Sequence, residues 1–197
     1  MSNRIPDLPI LGEPLIAEFA NTLYVDATSR LDVLDKPAWI EAWLQQAPCA
    51  ANLTEPGRIR TEDAEQLRAL RDAVRGLLTN RRGSRPVDIE VVNATARSAI
   101  SQHLLASGES GELHVVSDDR SLGISRLLWA IAVGVIDAVE NGTFDLNQTC
   151  SRPGCNLFYF RDHHRRRYCN PRCAGTDRQA RYNSRRNQAP RTQTFTR

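Results

Sequence analysis

From residue 37 to residue 139 the apolar positions recur every three to four residues in four stretches, and each stretch is bounded by a start or stop signal. Trp39, Ile40, Trp43 and Leu44 follow Asp35 and Pro37 and predict a short amphipathic helix over 37–46. Leu67, Leu70, Val74, Leu77 and Leu78 form the buried face of a second helix. Thr61 is its expected cap, Glu62, Asp63 and Glu65 complement its N-terminal dipole, and Arg81-Arg82-Gly83 closes it. After Pro86, the stripe Ile89, Val92, Ala96, Ala99 and Ile100 predicts a third helix. The fourth is the most apolar: Ile124, Leu127, Leu128, Ile131, Val135 and Val139, stopped by Asn141-Gly142. Between the last two, residues 102–106 and 112–116 flank Ser107-Gly108-Glu109-Ser110-Gly111 and predict a short β-hairpin on the helical body. The apolar run 127–136, enclosed by Arg126 and Asp137, is too short to span a bilayer, so no membrane partner is expected.

Beyond residue 146 this periodicity ends and aliphatic residues become scarce. A chain of 197 residues suits one medium domain with a small appendix. The expected fold is therefore mainly α: a multihelical N-terminal domain over 1–146 with a minor β-hairpin, a small treble-clef-like finger over 147–190, and a flexible tail over 191–197. About 150 residues can bury roughly 70% of their unfolded surface, whereas the last fifty must draw on another source of folding free energy.

Charge divides at the same place. Residues 150–197 carry twelve Arg against Asp162 and Asp177, a formal +10, while residues 1–149 stand at −7, which together give the chain's +3. Lys36 is the only lysine, so the preference for Arg is general, but its clustering is not. Arginine forks match phosphate oxygens and guanine edges, and their concentration on a small module points to a polyanionic partner.

The same segment holds Cys150, Cys155, Cys169 and Cys173, a C-x4-C pair and a C-x3-C pair separated by thirteen residues. Two close pairs allow four thiolates to converge on one ion. An all-sulfur, closed set suits a structural zinc, one per chain, with iron or a pair of disulfides as alternatives. Residues 1–15 include Arg4, Asp7 and Glu13 and contain no secretory apolar core, so a reducing cytoplasm is expected, where paired cysteines mean metal more often than disulfides. The isolated Cys49, after Pro48, reads as a packed or loop thiol.

Within the finger, Cys150-Ser151-Arg152-Pro153-Gly154-Cys155 predicts a tight loop. Residues 157–160 and 166–168 read as two short strands joined across Asp162-His163-His164-Arg165. Asn170-Pro171 is a cap and first residue for a terminal helix over 171–186, with Cys173 in its first turn. His163 and His164 are expected exposed at a turn, Phe158 and Phe160 in the finger's small core, and Tyr159 on the opposite face as a stacking residue. Arg178, Tyr182 and Arg185 share one side of the terminal helix, with Arg181 and Arg186 alongside. Together with Arg165, Arg166, Arg167 and Arg172 they form the expected nucleic-acid contact surface; the bland alternative is a solvated basic helix.

These residues carry a resemblance. CSRPGC, FYFRD, RRRYC and CNPRC followed by an Arg-rich helix are similar to the CGNR zinc finger. Residues 18–23 (EFANTL), the aromatic helix at 39–44 and ALRDAVR at 69–75 resemble the helical ABATE domain that precedes it. The name-giving tetrad is replaced by Cys173-Ala174-Gly175-Thr176, the next arginine is Arg178, and Tyr168 stands where a Trp is usual, so contacts of the tetrad's Asn and Arg do not carry over. The resemblance implies a bacterial transcription regulator whose N-terminal domain senses a ligand or stress signal. Glu18, Asn21 and Thr22 are candidates to line an effector pocket, with a helix cap or satisfied core polar group as the competing reading. Three functions follow in order: a cytoplasmic regulator binding double-stranded DNA, with the helical domain as sensor or homodimerisation unit; an RNA-associated or protein-interaction module; and last an enzyme, for which no nucleophile–base pair, open metal site or phosphate loop is visible.

Overall fold

The computed structural model describes residues 5–26, 29–47, 59–80, 83–98, 101–107, 112–119 and 123–188. Among them are six α-helices and three antiparallel two-stranded hairpins. Cys49, Arg81, Arg82, Ala99, Ile100 and the tail from 189 on lie outside the described residues, so the expectations placed on them concern sequence alone.

The chain enters through α1 (Leu15–Ala20), whose Ile16, Ala17, Phe19 and Ala20 are buried, and turns into the hairpin β1 (Leu23–Asp26) and β2 (Ser29–Asp32). Helix α2 (Pro37–Gln46) has the expected bounds and buries Ile40, Trp43 and Leu44, with Phe19 packed on Trp43 at 6.1 Å between ring centroids. Helix α3 (Thr61–Thr79) places Leu67, Leu70, Val74, Leu77 and Leu78 in the core as its period requires. Its cap differs from expectation: Thr61 is the first helical residue, and the Asp63 carboxylate reaches back to accept the Arg60 N–H at 2.7 Å. Arg71 is also buried on this helix, paired with Asp32 and Asp72.

Helix α4 (Pro86–Ser98) buries Val92 but leaves Ile89 45% exposed, which breaks the expected stripe. Asp88 occupies the buried position instead. The Arg85 guanidinium forks onto it at 2.8 and 2.7 Å, and Gly76 of α3 lies against it, where a Cβ would come within 2.3 Å of Asp88 Oδ2. Strands β3 (Ser101–Ser107) and β4 (Leu113–Asp119) form the expected hairpin in register Ser101 to Asp119. Helix α5 (Ile124–Glu140) buries Leu127, Leu128, Ile131 and Val135 against α1, α3 and α4, while Val139 is 59% exposed. Gly142 at φ +75° supplies the left-handed residue that ends it, as Asn141-Gly142 foretold.

The cysteine segment begins with β5 (Asn147–Thr149), pairs it with β6 (Phe158–Phe160), and ends in α6 (Pro171–Gln188). The expected pairing of 157–160 with 166–168 is not formed. Residues 166–168 run as an irregular segment whose Arg167 carbonyl accepts the Ser151 N–H at 2.9 Å, and β6 instead pairs with the strand on the other side of the first cysteine loop. Leu157, Phe158, Tyr159 and three of the four cysteines join one hydrophobic cluster with α1, α3 and α5. The cysteine segment is thus docked on the helical body through β6.

Candidate metal centre and basic surface

The loop after β5 carries the first cysteine pair around a turn closed by Cys155 N–H to Arg152 C=O at 3.0 Å, with Gly154 at φ +79°. The second pair straddles the start of α6. Asn170 accepts the Cys173 N–H through its side chain at 2.9 Å, and Pro171 follows where its missing N–H costs nothing. The four sulfurs converge within 4.8 Å of one another. Sγ of Cys169 lies 3.9 Å from that of Cys155 and 3.5 Å from that of Cys173, and Cys173 and Cys155 are 3.9 Å apart. Tetrahedral metal–sulfur bonds of about 2.3 Å give sulfur–sulfur edges of about 3.8 Å, so the cluster has the dimensions of a four-thiolate metal site.

Its electrostatics agree. Hydrogen bonding from the Cys169 thiol, against the burial that opposes it, brings Cys155 down to about 5. The same bond, with burial added, pushes Cys169 up, and burial pushes Cys173 up. Four thiolates this close repel unless a cation sits among them, so ion binding and ordering of the segment are linked. Arg152 lies beside Cys155 and Cys173, and the Cys169 N–H donates to Cys150 Sγ at 3.5 Å; both offset the excess negative charge of a four-thiolate site. His163 and His164 stand away from the sulfurs at an exposed turn, rings 4.4 Å apart, as expected.

Of the arginines proposed for contact, Arg165, Arg167, Arg172, Arg178, Arg181, Arg185 and Arg186 are exposed, as is Tyr182. Arg166 is not part of that surface. Its guanidinium donates to Glu13 Oε1 and to the carbonyls of Phe160, Tyr168 and Cys169, and lies 4.7 Å over the Tyr159 ring. Tyr159 likewise is no stacking residue: it is buried and donates its hydroxyl to the Arg166 carbonyl at 2.9 Å. The alternation that would turn it outward fails because β6 is covered on both faces, by the body and by the cysteine segment. Arg181 is exposed but tied down, bonded to Asp177 at 2.7 Å and to the Tyr168 hydroxyl, which in turn donates to Asp177 at 2.6 Å.

Glu18, Asn21 and Thr22 follow the competing reading of the sequence. All three are buried and held by the fold: Glu18 Oε1 accepts the N–H groups of Leu11 and Glu13, Thr22 donates to the Phe19 carbonyl, and Asn21 pairs with the backbone of Phe158. Helix α1 ends at Ala20, so Asn21 and Thr22 lie past its last turn.

Three further residues of this joint escaped the sequence reading. Glu13 accepts the Phe160 N–H at 2.9 Å besides pairing with Arg166. Arg75, which burial pushes down to about 10, donates to the carbonyls of Ala20, Leu23 and Asn156 and sits 4.9 Å over the Phe158 ring. Asn156 bridges to β1 by accepting the Val25 N–H and donating to the Leu23 carbonyl. The one available signal was a charge on an apolar face: Arg75 follows Val74 directly in the stripe of α3.

A helical body thus carries a basic module built around four convergent cysteines. The chain belongs to the ABATE family, whose sequence model, described as a putative stress-induced transcription regulator, matches residues 13–142. That span begins at Glu13 and ends at the residue that closes α5, so the cysteine module lies beyond it. No curated protein matches the chain. Among the described residues no helix is long and apolar enough to cross a membrane.

Proposed function

We propose that the protein is a transcription regulator that contacts double-stranded DNA through the exposed arginines of α6, on a module ordered by one zinc ion. The observation that carries this is the unpartnered basic face. From Gly175 to Arg186 every residue except Asp177 is exposed, and none of Arg165, Arg167, Arg172, Arg178, Arg185 or Arg186 forms an ion pair among the described residues. Such a helix gains little from the fold and repels itself until phosphates supply counter-charge. Arg165, Arg167 and Arg172 extend the surface around the module. Arg181, braced by Asp177 and Tyr168, can present its remaining N–H groups in a fixed direction, and Tyr182 offers a ring beside them.

Zinc is the ion favoured by four soft sulfurs at tetrahedral spacing with no oxygen ligand. Cys150, Cys155, Cys169 and Cys173 would hold it, and its role would be to fix shape. The family description supports DNA as the polyanion, since regulating transcription requires contact with the template or its machinery.

The test is a salt series of duplex titrations. Replacing Arg178, Arg185 and Arg186 together by Ala should weaken binding and reduce the salt slope by up to roughly three units, about 0.9 for each phosphate no longer neutralised. Equal behaviour of the variant and the parent protein on duplex DNA would overturn the reading. Preferential weakening on RNA would reassign the module to RNA.

A further inference from the structure

The seam between the helical body and the cysteine module carries an open cavity of about 680 Å³. One wall is the segment from Leu11 to Ile16, the second is α5 from Gly134 to Asn141, and the third is the module itself, through Phe160, Arg161, Asp162 and Arg166. The volume falls within the range of small-molecule sites, and its walls come from separate structural units, where such sites concentrate.

Its lining is apolar with charges at defined points. Leu15, Ile16, Ala138, Leu146 and Phe160 supply the apolar body. Glu13 and Arg166 neutralise each other across one corner. Asp137 and Asp162 are exposed at the rim, where solvent and salt screen them. Arg161 remains. Its Nε is buried and donates to no protein atom, and among the described residues its guanidinium forms no ion pair. Other buried polar atoms without partners lie elsewhere, on Glu18, Trp39, Asn147 and Arg152, and none of those residues lines this cavity.

We infer that this cavity binds a small organic monocarboxylate, its apolar chain or ring against Leu15, Ile16, Ala138, Leu146 and Phe160 and its carboxylate on Arg161. A single carboxylate suits one guanidinium that no ion pair among the described residues engages. A ligand here would touch both sides of the seam, so its binding would bear on how the module is held. The assignment stands apart from the nucleic-acid reading and is tested without any nucleic acid.

Octanoate and its neutral analogue octanamide serve as probes, titrated calorimetrically into the zinc-loaded full chain. One octanoate should bind per chain, more tightly than octanamide. Arg161→Gln should weaken octanoate by about tenfold or more, as removal of a charge-assisted hydrogen bond requires, and leave octanamide nearly unchanged. Leu146→Trp, at the exposed edge of the cavity, should weaken both by filling it, and decides the matter should Arg161→Gln fail to fold. Absence of octanoate binding overturns the inference. So does equal affinity for the two probes, or binding that neither variant disturbs.

Discussion

The side-chain amide of Asn21 and the backbone of Phe158 bond reciprocally: Nδ2 donates to the Phe158 carbonyl at 2.9 Å, and Oδ1 accepts the Phe158 N–H at 2.7 Å. A residue just past α1 thereby acts as a strand neighbour for the free edge of β6, across 137 positions of sequence. Both groups are buried, and backbone donors and acceptors out of water must be paired. The bond fixes where the cysteine module sits on the helical body, and Glu13, Arg75 and Asn156 surround it with further cross-links.

Asn21→Leu keeps the volume and removes both bonds. It should destabilise the protein by about 2–6 kcal/mol, since two buried backbone groups lose their partners at about 1–3 kcal/mol each. Urea denaturation followed by far-UV circular dichroism measures this. A change below about 1 kcal/mol would mean that water replaces the amide.

Removal of the metal should be felt on both sides of the seam. Cys169→Ser, or a strong chelator, should unwind α6 and release the first cysteine loop, because few aliphatic residues hold that segment otherwise. Leu157, Phe158 and Tyr159 belong to the cluster that α1 and α3 share, so the unfolding midpoint of the remaining helices should fall as well. A variant whose helical body melts as the parent does would show that β6 contributes nothing to the body.

Glu18 predicts a pH effect of definite sign. Burial raises its carboxyl above the usual range, opposed in part by the backbone N–H groups of Glu13, Leu11 and Gly12. The folded protein therefore holds this proton more tightly than the unfolded chain. Glu18 contributes its full stability below the ordinary carboxylate range, and that contribution is lost as pH rises through the raised value. Glu18→Gln cannot titrate, so its stability relative to the parent should improve as pH rises from about 4 towards neutrality. A difference that is flat over that interval would contradict the assignment.

Gly76 lies in the last turn of α3, and within a helix alanine is ordinarily favoured over glycine by up to about 1 kcal/mol. Here Gly76→Ala should destabilise, because the added Cβ would lie 2.3 Å from Asp88 Oδ2 and 2.9 Å from its Cγ. The Arg85 fork holds that carboxylate in place. A cost of about 1–3 kcal/mol is expected, and in the Asp88→Ala background it should shrink, since the clash and its partner disappear together. Thermal unfolding of the four proteins in the cycle tests this.

The sequence disclosed what short-range periodicity and spacing encode. The bounds of α2, the apolar face of α3, the stop at Asn141-Gly142, the β3–β4 hairpin and the convergence of four cysteines were all readable, because each depends on residues close in the chain or on one ligand set. What escaped depends on who lies opposite. Nothing local shows that β6 would pair with residues 147–149 rather than 166–168, or that Tyr159 would be covered on both sides. Ile89 and Val139 fit a helical stripe yet face outward; on α4 it is Asp88, with its Arg85 partner, that takes the inner position in place of Ile89. Asn21, in the turn after α1, proved to be part of the joint with the module, a role set by Phe158 more than a hundred positions away.

The arginines of the module separate into two kinds, and substitution should tell them apart. Arg166 is half-buried, paired with Glu13, bonded to three carbonyls and laid over Tyr159. Arg166→Ala leaves Glu13 buried as an unpaired charge, and breaking such a pair is costly even where one partner is partly solvated. It should lower the unfolding midpoint and reduce duplex binding only as far as it reduces the folded, metal-bound fraction. Arg178 is exposed and unpaired among the described residues, so Arg178→Ala should leave the midpoint and any metal content unchanged while lowering the salt slope by about one unit. A Glu13→Ala, Arg166→Ala cycle should return a coupling of about 1 kcal/mol or more, whereas Glu13→Ala with Arg178→Ala should be additive. If instead Arg178→Ala destabilised the fold, or Arg166→Ala altered the salt slope at full folding, the division drawn between the buried arginine of the seam and the exposed arginines of α6 would fail.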